Sequence, residues 1–332
     1  MSFRKHRKQD LLNLIINAIS DDGWNILYLH DPAFHPFILR IFKNGVSHDL
    51  TIYIWNLTHG GGSARAADEY RIQITGVERF ENLGNGKVMI LGWWEEGGVF
   101  AGFDFNYHNI HLGASPSIQI RESALRNGYV NGISAWEKGN SEIALAIRPD
   151  FLTTYIDSLN ELHSFGTSNN DLKVLESVVE SAEEINEETL NSVTENRREI
   201  VVSVKKKVRD NSFKNRILTA YSNRCAFCGI QLKLIDAAHI VPVEHNGTDD
   251  TSNGIALCAI HHRSYDRRLV KFNGDYSIST NTALLDELQN IGLDGGRENF
   301  INNLRAVIHL PPTINDRPHR ENVETANTLR GW

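Results

Sequence analysis

The sequence predicts a mixed α+β chain in three parts. A β-rich α+β domain spans residues 1–165, an acidic, partly helical linker spans 166–204, and a metal-stapled domain spans 205–332. Three observations carry this prediction. Short apolar runs separated by Gly, Asn and Asp clusters fill the first half. A glutamate-rich stretch without aromatic residues follows. All three cysteines then fall in the last third, beside adjacent histidines.

Taken in order, Leu11, Leu12, Ile15, Ile16 and Ile19 recur at helical spacing and predict an amphipathic helix over Gln9–Ile19. The start, "MSFRKHRKQD", is basic, but Asn13, Asn17 and Asp21 interrupt the apolar stretch and no small-residue cleavage site follows. That pattern predicts an amphipathic helix rather than a signal peptide. Strand-like runs come next: "NILYLH", "PFILRIF", "LTIYIWNL", "YRIQITGV", "KVMILGWW", "VFAGFDF", "SIQIRE" and "IALAIRP". The clusters "THGGGS" and "NLGNGK" are loops, and "RPDFLTTYIDSLNELHSF" reads as a closing helix. The linker reads as a solvated charged helix. The sign then reverses: Lys205, Lys206, Lys207, Arg209, Lys214, Arg216 and Arg224 are opposed only by Asp210, a run that is either a solvated face or, given its place before the cysteine motif, a phosphate contact.

The 332 residues, 41% hydrophobic and 23% charged, suit a soluble globular protein with more than one domain. No apolar run approaches the roughly 18 residues of a membrane span, so no membrane partner is expected. Few cysteines, odd in number, imply a reducing, cytoplasmic setting and no disulfide framework. The formal charge of −7 argues against a chain that coats nucleic acid uniformly and leaves local basic patches as the means of contact.

The densest chemistry lies in "CAFCGIQLKLIDAAHIVPVEHNGTDDTSNGIALCAIHHRSYDRRL". Cys225 and Cys228 form a C-x2-C knuckle, and Cys258 and His261 repeat the spacing as C-x2-H. Four such ligands with no open position describe a structural Zn2+ site. One knuckle alone would be matched by small buried cysteines; two, using every cysteine of the chain, are not. Neighbouring side chains point different ways, so His262 is free for another task.

Between the knuckles, "DAAHIVP" and "TSNGIAL" carry His239 and Asn253, and "HHRSYD" carries His262. In these residues the sequence resembles the HNH endonuclease family, in particular restriction-type members with zinc knuckles. The resemblance runs from about Phe213 to Asp266 and more weakly to "HRENV" near the end. It implies a ββα-metal unit: "LKLIDAAHIVPV" as strand, "EHNGTDDTSNG" as turn and "ALCAIHHRSYDRR" as helix. It also implies hydrolysis of DNA phosphodiester bonds. His239 would be the general base, since histidine has the unperturbed pKa nearest neutrality. A catalytic Mg2+ or another divalent cation would neutralise the scissile phosphate and the departing 3′-oxygen, with His262 as its helix-borne ligand. Asp266, one turn after His262, is spaced as a second ligand. Asn253 would either touch the cation or fix the loop that orients His239.

One departure stands out. Many relatives carry an aspartate or histidine ligand where this chain has Ala238. Asp236, two residues earlier on the same strand face, can point toward the metal instead. Around the helix, Arg263, Arg267, Arg268 and Lys271 are placed either to grip flanking phosphates or to face solvent.

For residues 1–165 the sequence leaves several roles open: a reader of a DNA sequence or modified base, a dimerisation unit, or a ligand sensor. "WNLTHGGGSARAADEYRIQ" combines an aromatic, a glycine loop and arginines that can approach a phosphate or a flipped base. In "GWWEEGGVFAGFDFNYH", alternation assigns Trp93, Trp94, Phe103, Phe105 and Tyr107 mainly to the core. The region is similar to those joined to HNH nucleases in bacterial restriction-like proteins, which implies a restriction or anti-phage role. Cutting both strands would call for a homodimer. Two competing readings are a zinc-stapled DNA-binding scaffold that no longer cuts, kept open by Ala238, and an HNH ribonuclease.

Overall fold

Strands that are apolar at every position need cover on both faces, and the first unit of the chain provides it. The computed structural model describes residues 5–60, 66–180 and 187–332, and divides into two units, Met1–Val208 and Arg209–Trp332. The first unit begins with α1 (Lys8–Asp21), β1 (Asn25–Tyr28), β2 (Phe37–Lys43), β3 (Val46–His59) and β4 (Glu69–Gln73). It continues through β5 (Lys87–Trp94), β6 (Val99–Phe103), α2 (Phe105–His108), β7 (Ser117–Arg121), α3 (Glu122–Asn131), β8 (Ile133–Glu137) and β9 (Ile143–Ile147). Then come α4 (Leu152–Asp157), α5 (Leu159–Ser164), α6 (Asn169–Glu180), α7 (Glu187–Asn191) and α8 (Glu195–Ala220), whose residues from Arg209 onward belong to the second unit.

Among the described residues these strands form one sheet in the order β1-β2-β3-β5-β6-β9-β8. β4 pairs with the end of β3 and with β7. The β3–β5 pair is parallel and the other pairs are antiparallel. Successive β3 residues feed opposite cores. Ile52 and Ile54 join one with Met89, Leu91 and α1, whereas Tyr53 and Trp55 join the other with Ile90, Ile120 and α3. Burial on both sides is why these strands read as continuous apolar runs. Trp93, Trp94 and Phe103 are core, as alternation implied, while Tyr107 is exposed.

Three expectations are corrected here. The described residues of 166–204 are not a solvated linker: Leu172, Leu175 and Val178 of α6, and Val201 and Val204 of α8, are buried in the sheet's first core. The glutamates describe only the outer face of these helices, and the apolar stripe at helical spacing decides that the inner face packs. Arg197 pairs with the buried Asp171 and donates to Ser164 O at 2.7 Å, anchoring α8 to this layer. Second, the closing helix is broken into a short 3-10 turn, α4 and α5. Third, Lys205, Lys206 and Lys207 belong to the first unit. There Lys207 is committed to Asp22 at 2.6 Å. The part of the glycine loop at residues 61–65, expected to approach a phosphate or a flipped base, lies outside the described residues.

The second unit contains β10 (Ile235–His239) and β11 (Gly254–Cys258), an antiparallel hairpin, followed by α9 (Ala259–Asp266). A second hairpin, β12 (Val270–Phe272) and β13 (Ile278–Thr280), precedes α10 (Thr282–Asn290), α11 (Arg297–Asn302) and α12 (Arg320–Leu329). Its core gathers Phe213, Ile217, Phe227, Ile255, Leu257, Tyr265, Phe272 and Val323. The expected helix "ALCAIHHRSYDRR" is shorter than its sequence pattern, because Ala256–Cys258 is spent as strand against Ile235–Ala237. Among the described residues no helix is long and apolar enough to cross a membrane.

Candidate active site

Two tight turns build the staple. Gly229 N–H donates to Cys225 O at 2.8 Å and Cys225 N–H to Ile230 O at 2.9 Å, closing a knuckle that presents Cys225 and Cys228 together. Cys258, at the end of β11, is the N-cap of α9, so His261 falls in the first turn beside it. Ligand atoms of Cys225, Cys228, Cys258 and His261 all lie within 4.8 Å of one another. His261 Nδ1 is 3.4 Å from Cys225 Sγ and 3.2 Å from Cys258 Sγ. Ligands of a tetrahedral zinc, with bonds of about 2.0–2.3 Å, lie roughly 3.5–3.8 Å apart, so the four fit one ion closely. Cys225 beside it, and burial, push the Cys258 thiol up to about 11, a crowding that a cation between the sulfurs relieves. These four residues could therefore hold a metal ion with no coordination position left open.

His262 follows His261 on α9 and so points about 100° away around the helix. Its Nδ1 lies 3.8 Å from Asp236 Oδ2 on β10, and its Nε2 lies 3.7 Å from Asp266 Oδ2 one turn further along α9. Both are ion-pair separations, longer than hydrogen bonds. Asp236, outweighing burial and aided by Asp266, holds the His262 pKa above its ordinary value. His262 in turn holds the Asp236 carboxyl low, against burial and with help from Lys214. The carboxylates are each more than half exposed, at 55% and 56%, so the group is open to solvent where the staple is closed. Asp236 thus stands beside His262 although Ala238 offers no ligand.

His239 ends β10 opposite Gly254, the first residue of β11, and Asn253 immediately precedes that strand. Asn253 is buried and spends its amide on the loop between the strands. Its Oδ1 accepts from Val241 N–H at 3.0 Å, and its Nδ2 donates to Val241 O at 3.0 Å and Thr248 O at 2.8 Å. Of the two expected roles, these contacts are those of a loop brace. Gly254 is required because a Cβ there would sit 2.0 Å from Ile217 Cδ1 of α8. The same face of α8 carries Phe213, whose ring lies parallel to that of His239 at 3.9 Å between centroids. His239 Nε2 is 3.0 Å from Asp249 Oδ1.

The basic residues divide. Arg209 pairs with Asp249, and Arg216 Nη2 donates to Asp249 O at 2.7 Å, so these two brace the loop from within. Lys214, Arg263, Arg267 and Arg268 are exposed. Lys271 lies over the Trp332 ring, 4.6 Å from its centroid. Sequence reasoning missed Asp249, Phe213 and Arg330. The last, on the turn after α12, donates to Ile240 O at 3.0 Å, lies over Tyr265 and stands 3.9 Å from Asp266. A signal for Asp249 existed in its place between His239 and Asn253, but a turn-rich loop gives no reason to prefer one of its aspartates.

Two family models match parts of the chain. A family model described as "HNH endonuclease" matches residues 225–273, and one described as "Methylase-associated X1" matches residues 48–156. Among solved structures, the chain is similar to one titled "Modification dependent TagI restriction endonuclease" at 13% identity. The match covers 83% of this chain and 81% of that chain at a TM-score of 0.30. No curated protein matches.

Proposed function

We propose that this chain, whose residues 225–273 are an HNH endonuclease domain hydrolysing phosphodiester bonds, is a divalent-cation-dependent DNA endonuclease of restriction or anti-phage defence. The observation that carries the reading is the pairing of two groups on β10. His239 sits at its end, and Asp236 faces His262 of the helix that packs against it. An imidazole with a carboxylate near each of its nitrogens offers oxygen and nitrogen donors that side-chain rotation could bring to Mg2+, Mn2+ or a related ion. When bound, that cation supplies positive charge to the scissile phosphate and the departing 3′-oxygen.

His239 takes the proton of the attacking water, and Asn253 holds the loop that positions it. Asp236, His262 and Asp266 hold the cation. Cys225, Cys228, Cys258 and His261 hold a structural Zn2+, whose closed sphere leaves no place for substrate. Lys214, Arg263, Arg267 and Arg268 grip the DNA backbone. The proximity of Asp236 to His262 favours a cutting enzyme over the scaffold reading, which Ala238 had kept open. A methylase-associated family match in the same chain as a nuclease supports a restriction setting, in which the first unit selects the target or an activating signal. Cleavage of both strands would use a homodimer in the cytoplasm.

The test is incubation of the purified chain with unmodified, methylated and phage-derived DNA, and with RNA, each with and without Mg2+, Mn2+ or Ni2+. Wild type is expected to cut DNA only with a divalent ion, and His239→Ala to lose about 10²–10⁴-fold in rate. Undiminished cutting by His239→Ala would overturn the mechanism. Binding without cutting on every DNA would return the scaffold.

A further inference from the structure

His239 is not left to find its own orientation. One face of α8 in the second unit presents Arg209, Phe213 and Arg216, at helical spacing, to the loop that follows β10. Phe213 lies flat against the His239 ring and fixes its plane. Arg209 takes Asp249 Oδ2, and Arg216 takes the Asp249 carbonyl, which leaves Oδ1 aimed at His239 Nε2 at 3.0 Å. Besides the Arg209 contact, the loop is closed by bonds that do not involve this carboxylate. Asn253 binds Val241 and Thr248, Asn253 N–H donates to Asp250 O at 2.9 Å, and Thr248 Oγ donates to Asp250 Oδ2 at 2.7 Å. Asp249 therefore has its side chain committed to His239 and one arginine.

We propose that Asp249 is a positioning residue for His239: its carboxylate accepts the Nε2–H and so fixes the neutral tautomer whose Nδ1 lone pair serves as the base. An ionised carboxylate can only accept, so the nitrogen facing it must carry the hydrogen. Partial burial works against ionisation of Asp249, and the bonds to His239 and Arg209 prevail, keeping it below the usual carboxylate range. In the reaction, an O–H proton of water moves to Nδ1 as the water oxygen bonds to phosphorus. The bond from phosphorus to the 3′-oxygen breaks, and the leaving oxygen takes a proton from solvent. Asp249 stays ionised and steadies the imidazolium through Nε2. Arg209 and Arg216, which the sequence offers as phosphate contacts, act one step behind the base.

This inference rests on the nuclease reading, and its test separates the two. Cutting by wild type, Asp249→Ala, Asp249→Asn, His239→Ala and the Asp249→Ala/His239→Ala double variant is compared on the full chain. Thermal unfolding and bound metal are measured in parallel, and the near-isosteric Asp249→Asn guards against a loop that fails to fold. Asp249→Ala is expected to lower kcat about 10²-fold or more with KM within a few-fold, and the double variant to be no slower than His239→Ala. Separately, two-dimensional NMR of chain labelled with 15N-histidine, the His239 signals identified by their loss in His239→Ala, should show the Nε2–H tautomer. That tautomer should give way to a mixture in Asp249→Ala. Unchanged kcat in both Asp249 variants, further loss in the double variant, or an Nδ1–H tautomer in wild type would each overturn the proposal. Active His239→Ala would sink the nuclease mechanism alone, with the tautomer still deciding whether Asp249 orients the ring.

Discussion

Two histidines packed inside the first unit, His35 and His163, are treated in the opposite way to those of the candidate site in the second, although His6, His48 and His108 of the first unit also face carboxylates. In the first unit His163 is fully enclosed, bonded to the Tyr155 hydroxyl at 2.9 Å and the Ile143 carbonyl at 3.2 Å. His35 accepts the Ile54 N–H at 3.0 Å, and burial, with Lys8 nearby, depresses its pKa to about 3. Both are neutral parts of the packing. In the second unit His239 and His262 are partly exposed and each faces carboxylates, while His261 is buried among thiols. The first unit has two apolar layers around a wide sheet and needs no staple. The second has a short hairpin, and four residues that could hold a metal ion lie at the end of its core, beside partly exposed polar side chains.

The largest effect should come from cutting the staple. Cys258→Ala is expected to lose the bound metal and destabilise the second unit by several kcal/mol, since structural zinc contributes on the order of 10 kcal/mol to small domains. The first unit's unfolding should be unchanged. His262→Ala should keep that metal and lose cutting. Equal metal loss in both variants, measured by elemental analysis, would erase the distinction between the adjacent histidines.

A smaller effect tests the helical layer of the first unit. Leu175, 3% exposed, packs against the sheet, and Leu175→Ala should cost about 2–5 kcal/mol in denaturant unfolding. A change near zero would return α6 to the status of a solvated linker.

The smallest concerns Lys8, held by burial at about 7, its ammonium donating to Ile54 O over the Trp55 ring. Its folded-state pKa lies below its unfolded value, so between about pH 7 and about pH 10 the unfolded chain binds more protons and stability rises with pH. Below that window both states are protonated and the cost of burying the charge is fully present. Lys8→Met should flatten the rise by on the order of 1 kcal/mol, discounted for partial exposure. An identical slope in the two proteins, from urea titrations across the window, would show that Lys8 does not titrate in the fold.

Much of the first sheet is legible as apolar runs between turn clusters, yet α3 and β8 are not. Gly128 weakens the helical pattern of α3, and it is there because a Cβ would meet the Ala146 side chain at 2.6 Å. The acidic helices were misleading for a related reason: composition reports the wet face, and packing acts on the other. At the site, Cys225, Cys228, Cys258, His261 and His262 are legible because a bite of two residues and a 100° step along a helix are local geometry. Asp249 is ten positions from His239, and Arg330 is ninety from Ile240; no local period links them.

Local spacing by itself determined the two ligand pairs, Cys225 with Cys228 and Cys258 with His261, and that His262 turns away from His261, because covalent geometry within a turn leaves no alternative; that the two pairs meet is tertiary. Only the tertiary structure decided that Asp236 meets His262, that Asn253 braces a loop, and that α8 delivers Arg209, Phe213 and Arg216 to the loop beside His239. Those meetings depend on how a hairpin closes and which helix face packs on it. Burial sums over the whole second unit settle that choice, and single residues do not.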